Sequence, residues 1–219
     1  MKRLYAIVAV AMLLVACAGQ QKTTELIETP EQAIKALQEG NARFVAGKLQ
    51  VPNADEARRT ETFNKQKPFA VVVGCSDSRV PVEMLFDCGI GDLFVIRTAG
   101  NSVADDVVMG SIDYAVDHLG CPLVVILGHQ NCGGITSACE PSAEHHHGKI
   151  DQLLAVIRQD VEKYVGHPEQ LDEAIHANAE EQVKRIKREK YLADKFKQNK
   201  LQVISAYYHL DTGVVDFDL

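Results

Sequence analysis

Two short valine-rich runs, Phe69 to Val73 and Pro122 to Leu127, constrain the fold more than any other feature of this chain. Neither alternates apolar with polar residues. A strand with one wet face alternates; an unbroken apolar run of this length suits a strand covered on both faces. Each run ends at a glycine, Gly74 or Gly128, and a third short run, Asp92 to Ile96, lies between them. Helical patterns fill the intervals. Val107, Val108, Ile112, Ala115, Val116 and Leu119 make an apolar stripe before the last run. Ile150, Leu153, Leu154, Ile157 and Val161 make another after it. Strand alternating with amphipathic helix implies an α/β domain with a largely parallel sheet.

The flanks add detail. Thr29-Pro30-Glu31-Gln32 reads as a helix start, with Thr29 as N-cap, Pro30 at the first position and Gln32 closing a capping box. Ile34, Leu37 and Phe44 then share one helical face. Residues 47–65 are polar and show no period. Residues 168–199 read as polar helix with Leu171, Ile175, Val183, Ile186 and Leu192 as sparse anchors. Leu201 to Tyr207 and Val214 to Phe217 read as closing strands around the Asp211-Thr212-Gly213 turn.

The N-terminus stands apart. Lys2 and Arg3 precede an apolar stretch from Leu4 to Ala16, too short for a comfortable membrane span. Leu14-Val15-Ala16-Cys17 resembles a bacterial lipobox. The expected organisation is a lipoprotein signal peptide over residues 1–16, a flexible tether over 17–29, and one domain over 30–219. Cys17 is then the lipid anchor. The protein is expected at the periplasmic face of the bacterial envelope. Ala18, where aspartate often marks inner-membrane retention, points to the outer membrane.

Five cysteines remain: Cys75, Cys88, Cys121, Cys132 and Cys139. An odd count at irregular spacing fits a disulfide framework poorly. Metal ligation of some, with the rest buried as small apolar residues, fits better. A net charge of −7 without a basic stripe argues against nucleic acid as a partner. Lys184, Arg185, Lys187, Arg188 and Lys190 interleave with Glu180, Glu181 and Glu189, as on a solvated helix face. His145-His146-His147 is a compositional cue to metal or proton binding, but beside Pro141 it reads better as a solvated loop.

Two motifs carry chemistry. Cys75-Ser76-Asp77-Ser78-Arg79 follows the first valine-rich run, and His129-Gln130-Asn131-Cys132 follows the last. Sites in open α/β sheets form beyond the carboxyl ends of strands, so the motifs meet if the two strands are neighbours. Two thiolates and an imidazole make a tetrahedral set with one place left over, a set that suits zinc. The fourth place falls to water or to Asp77. Arg79 is permanently charged and forks onto carboxylates. Paired with it, Asp77 stays ionised and fixed in orientation.

Cys75-Ser76-Asp77-Ser78-Arg79-Val80-Pro81, taken with Gly128-His129-Gln130-Asn131-Cys132-Gly133, resembles the signature pair of β-class carbonic anhydrases. Gly91 to Asn101 is similar to a third block of that family, and the resemblance spans about residues 30–219. It implies a mostly parallel sheet of about four strands plus an antiparallel closing strand, flanked by helices. It implies one zinc per chain on Cys75, His129 and Cys132, with Asp77 and Arg79 as catalytic dyad. In some members the aspartate closes onto the metal as fourth ligand. Gln66 matches a pocket glutamine supplied by a neighbouring subunit. Phe94 and Tyr114 match aromatic pocket walls, and Gly133 lies where a backbone amide meets substrate. The substrates implied are CO₂ and bicarbonate, in a homodimer or a multiple of dimers. Val72 stands where one subset carries the tryptophan of a regulatory bicarbonate pocket, and the chain has no tryptophan. Two rival readings keep the same ligands: a zinc hydrolase acting on CS₂ or COS, and a zinc-binding lipoprotein without catalysis.

Overall fold

A computed structural model describes residues 26–141 and 148–219. The expected signal peptide, Cys17, most of the tether and the histidine triplet fall outside the described residues. Helix α1 (Pro30–Val45) starts as expected: the Thr29 hydroxyl accepts from the Gln32 amide, and the Gln32 side chain accepts from the Thr29 amide in return. Two donors that a helix start leaves orphaned are thereby satisfied.

The core is one five-stranded sheet. Its strands are β1 (Ala70–Cys75), β2 (Leu93–Thr98), β3 (Leu123–His129), β4 (Gln202–Tyr208) and β5 (Val215–Asp218), in the order β2-β1-β3-β4-β5. The first four run parallel, and β5 closes the sheet antiparallel to β4. All residues of β1 and β3 are buried, which is what their unalternated sequences require. One face packs against α1, with Leu37, Val72, Val125, Leu127 and Phe86 at its centre. The other packs Val71, Val73, Val124 and Ile126 against α4 (Asp106–Asp117) and α7 (Leu171–Lys187). Beyond the carboxyl ends, α5 (Gly133–Cys139) and α6 (Lys149–Val161) build a further apolar cluster with α7 through Ile135, Ile157 and Ile175.

From β1 the chain crosses to β2 on one side, then returns to place β3 on the other. The crevice between β1 and β3 is therefore the point where winding reverses, the favoured ligand position in such sheets. Pairing of Val71–Gly74 with Val124–Leu127 brings the two motifs side by side.

Three elements depart from expectation. The aperiodic segment 47–65 contains a helix, α2 (Glu56–Thr62), capped by Asp55 and burying no residue. Short helices α3 (Val82–Leu85) and α5 follow the two motifs. Arg185 leaves the solvated face of α7 and turns inward to fork onto Asp160, which is almost wholly buried. Lys184 and Arg188 stay on the wet side, both paired with Glu181. The five described cysteines are free thiols. Cys121 and Cys139 are buried, and Cys88 is half-buried.

Candidate metal centre

Cys75 ends β1 and His129 ends β3, while Cys132 sits at the cap of α5 after a tight loop. Asn131 takes a left-handed backbone there (φ 54°), a conformation asparagine tolerates better than most residues. The loop is tied to β4: the Gln130 amide donates to the Tyr208 carbonyl, and the Gln130 side chain accepts from the Leu210 amide. The two sulfurs and an imidazole nitrogen all lie within 4.8 Å of one another.

The imidazole is aimed by its neighbour. His129 Nδ1 lies 3.0 Å from the Gln130 carbonyl. A carbonyl only accepts, so Nδ1 carries the proton and Nε2 keeps a lone pair. His129 is 0% exposed and Nε2 has no hydrogen-bond partner. A buried acceptor left unpaired costs about 1–3 kcal/mol. Coordination removes that cost, and an imidazole oriented by a backbone carbonyl is the usual arrangement of a metal-ligating histidine.

The thiols are also prepared. Cys75 Sγ and Cys132 Sγ are 4.0 Å apart. A shared proton between the two sulfurs favours one thiolate at a time, lowering Cys75 and raising Cys132, while burial works against ionisation of both. Amides of Asp77 and Gly100 further favour the charged form of Cys75, and amides of Gly134 and Ile135 do the same for Cys132. Thiolate is the ligating form, so metal binding here releases protons. Two such sulfurs and one neutral imidazole fit zinc, with a fourth place open as in catalytic rather than structural sites.

Asp77 and Arg79 occupy the mouth of the crevice. Arg79 Nε donates to Asp77 Oδ1 at 2.9 Å, and Nη2 donates to Oδ2 at 2.7 Å. The Arg79 amide adds a third bond to Oδ1 at 2.9 Å. These bonds hold the Asp77 carboxyl well below the usual carboxylate range, with the Arg79 side chain as the main cause. Arg79 Nη2 also donates to the Asn131 carbonyl, so the dyad bridges the two motifs. Asp77 Oδ2 stands 4.0 Å from His129 Nε2 with its forks on Arg79.

Arg97 is a functional residue that the sequence reading misses. From the end of β2 it donates to the Cys75 carbonyl at 3.0 Å and to the Asp77 carbonyl at 2.6 Å, fixing the backbone that carries ligand and dyad. The available signal is a lone cation closing an apolar strand three residues before a glycine.

Gly133 begins α5 directly after Cys132, and a side chain added there would meet open space. The other three pocket residues lie elsewhere. Phe94 pairs with Val71 whereas Thr98 pairs with Cys75, a separation of about 13 Å along the strand. Tyr114, on α4 and 46% exposed, stands 6.3 Å from Phe94 between ring centroids. Gln66 is exposed in the loop before β1, at the end of the sheet opposite the metal ligands.

A Cys₂His centre at the winding reversal of an open parallel sheet defines a zinc protein of α/β class. The carbonic anhydrase family profile matches residues 70–215, about two thirds of the sequence. The chain belongs to the carbonic anhydrase family. It is 53% identical over 109 residues to carbonic anhydrase 2 of Mycobacterium tuberculosis, covering 50% of this chain and 52% of that protein. It is 55% identical over 106 residues to the carbonic anhydrase of Mycolicibacterium smegmatis, covering 48% and 51%. These matches thus span about half the length of either relative. The β-carbonic anhydrase CafA of Aspergillus fumigatus superposes with a TM-score of 0.63 at 29% identity, covering 73% of this chain and 79% of that one.

Proposed function

We propose that this protein catalyses the reversible hydration of CO₂ to bicarbonate and a proton, with zinc on Cys75, His129 and Cys132. The observation that carries this reading is the unpartnered His129 Nε2 facing two thiols, with an arginine-locked carboxylate 4.0 Å away. Bound zinc supplies a Lewis acid that makes water nucleophilic at neutral pH, an effect for which carbonic anhydrases are themselves the standard example.

The chain's own residues do the rest. Asp77, ionised and held on two edges by Arg79, accepts a hydrogen bond from the attacking water and turns its lone pair toward the carbon. The Arg79 fork keeps the carboxylate from rotating onto the metal. The Gly133 amide contacts the substrate's oxygen. Gln66, Phe94 and Tyr114 reach the site of a second copy rather than their own, which makes a homodimer, or a multiple of it, the functional unit. Among the solved structures of similar fold, a pair from Sordaria macrospora is described as tetrameric. The dyad favours catalysis over metal storage, since storage needs neither Asp77 nor Arg79.

Stopped-flow CO₂ hydration by zinc-loaded protein tests the reading. Turnover that vanishes on metal removal and returns with zinc is expected. Hydrolysis of CS₂ or COS with no CO₂ hydration would transfer the site to that rival substrate class.

The sequence around Cys17 supports export as a lipoprotein, anchored in the outer membrane facing the periplasm. Among the described residues no helix is long and apolar enough to cross a membrane. Labelled fatty acid should attach to the wild-type chain and not to Cys17→Ser. Label retained by that variant would place any anchor elsewhere.

A further inference from the structure

We propose that Asn178 and Gln182, two amides on α7, are positioning residues for the metal centre, acting through segment 99–103 on the backbone that carries the two cysteine motifs. The proposal rests on the reading of Cys75 as a metal ligand.

Segment 99–103 holds only one 3₁₀ turn, Ala99–Asn101, and that turn is interrupted at Gly100. Gly100 and Asn101 are successive left-handed residues, with φ of 65° and 47°. A side chain at Gly100 would come within 2.8 Å of Ile157 Cδ1, so the backbone lies flat against α6. The segment nevertheless touches both cysteine motifs. The Ser76 amide donates to the Thr98 carbonyl at 3.0 Å, and residues 99–101 pack against β1, the strand that Cys75 ends. A Cβ placed on Gly134, two residues after Cys132, would lie 3.5 Å from the Gly100 nitrogen.

The two amides clamp this segment at both ends. Asn178 Nδ2 donates to the Gly100 carbonyl at 2.9 Å, and the Val103 amide donates to Gln182 Oε1 at 3.0 Å. Both side chains are 0% exposed. Their polarity is fixed from behind. Asp160 only accepts, so it takes the Gln182 NH₂ at 2.8 Å and leaves Oε1 for Val103. Arg185 forks onto Asp160 and donates to Gln182 Oε1 at 2.8 Å, locking the same orientation. A chain of oriented hydrogen bonds thus runs from the Arg185–Asp160 ion pair to the segment that packs against both cysteine motifs. Packing alone needs none of it: apolar residues at 178 and 182 would seat α7 as well, without the desolvation cost of two amides.

The test uses the full-length protein loaded with Co²⁺, reading the thiolate-to-cobalt absorption band and the metal affinity by chelator competition. Asn178→Leu and Gln182→Met should each weaken metal binding about 10- to 100-fold and shift the band, the scale of outer-shell substitutions at metal sites. Asn178→Asp keeps the side chain's size, exchanges the donating NH₂ for a carboxyl oxygen, and serves if the leucine variant fails to fold. Asn41→Leu is the control. Asn41 also makes several buried hydrogen bonds, to the Leu85 and Gly213 carbonyls and the Val215 amide, but none of these reaches segment 99–103 or a cysteine motif. Its replacement should lower Tm and leave band and affinity unchanged. Band and affinity at wild-type values in folded Asn178→Asp and Gln182→Met would overturn the clamp while the metal centre stands. A wild-type protein without a thiolate band would overturn the metal reading and the clamp with it.

Discussion

At the carboxyl ends of β1 and β3 one chain brings together everything that holds a metal. Two thiols, an aimed imidazole, a locked carboxylate and a backbone braced by Arg97 all come from residues of the same fold. At the opposite end of the sheet and along the β2 edge, the same chain presents Gln66, Phe94 and Tyr114 far from any ligand. The three ligands of the first region are buried and cross-braced; the second region is partly exposed and bears apolar surface, with Tyr114 and Val107 both open to solvent. The contrast separates two properties. The metal ligands meet within one chain's fold, whereas the walled reaction chamber proposed above needs a second copy.

The largest effect expected is at the first region. Cys132→Ser should lose zinc and with it nearly all CO₂ hydration, since one of three protein ligands is gone. Full zinc occupancy in that variant, by elemental analysis, would break the ligand assignment. Next comes Asp77→Asn, which keeps shape and removes charge. At matched zinc content kcat/KM should fall about 10²-fold or more, the scale of general acid–base and outer-shell effects. Near-normal activity would remove the dyad from the reaction and leave the metal centre intact.

The second region predicts a smaller loss with a distinctive signature. Gln66→Ala should lower kcat/KM about 10-fold, in keeping with loss of one substrate-positioning contact. Mixed with Cys132→Ser subunits, it should regain activity, because a hybrid pairs one intact metal centre with the other chain's Gln66. No recovery on mixing would return Gln66 to its own chain and dissolve the contrast.

The smallest effect is on stability. Asp77 has a depressed pKa, so the Asp77–Arg79 pair contributes above the ordinary carboxylate value of about 3.9 and loses that contribution as pH falls through the depressed one. Arg79 is half-exposed, and solvent screening leaves exposed pairs with little net contribution. Arg79→Ala should therefore shift Tm by only a few degrees near neutral pH. A large shift would make the dyad a structural brace.

How much of this is legible in the sequence follows from what each element buries. β1 and β3 read clearly because central parallel strands are apolar on both faces. Helix α2 does not, because it buries nothing and so carries no apolar period; its one signal is the capping Asp55. The ligand triad is legible because thiols and imidazole at strand ends have few other uses together. The clamp is not, since Asn178 and Gln182 pass for wet positions of a polar helix. Their spacing with Ile175, Ala179 and Ile186 puts them on the buried stripe of α7, and polar residues on such a stripe are the signal that betrays them. Arg185 misleads for the same reason in reverse: its charge suggests solvent, while its partner Asp160 lies inside.

The most direct test is X-ray absorption at the zinc edge of the purified wild-type protein. Two sulfurs at about 2.3 Å and nitrogen or oxygen neighbours at about 2.0–2.1 Å are expected, with one zinc per chain. A zinc shell without sulfur, or with four sulfurs, would contradict a centre built from Cys75, His129 and Cys132.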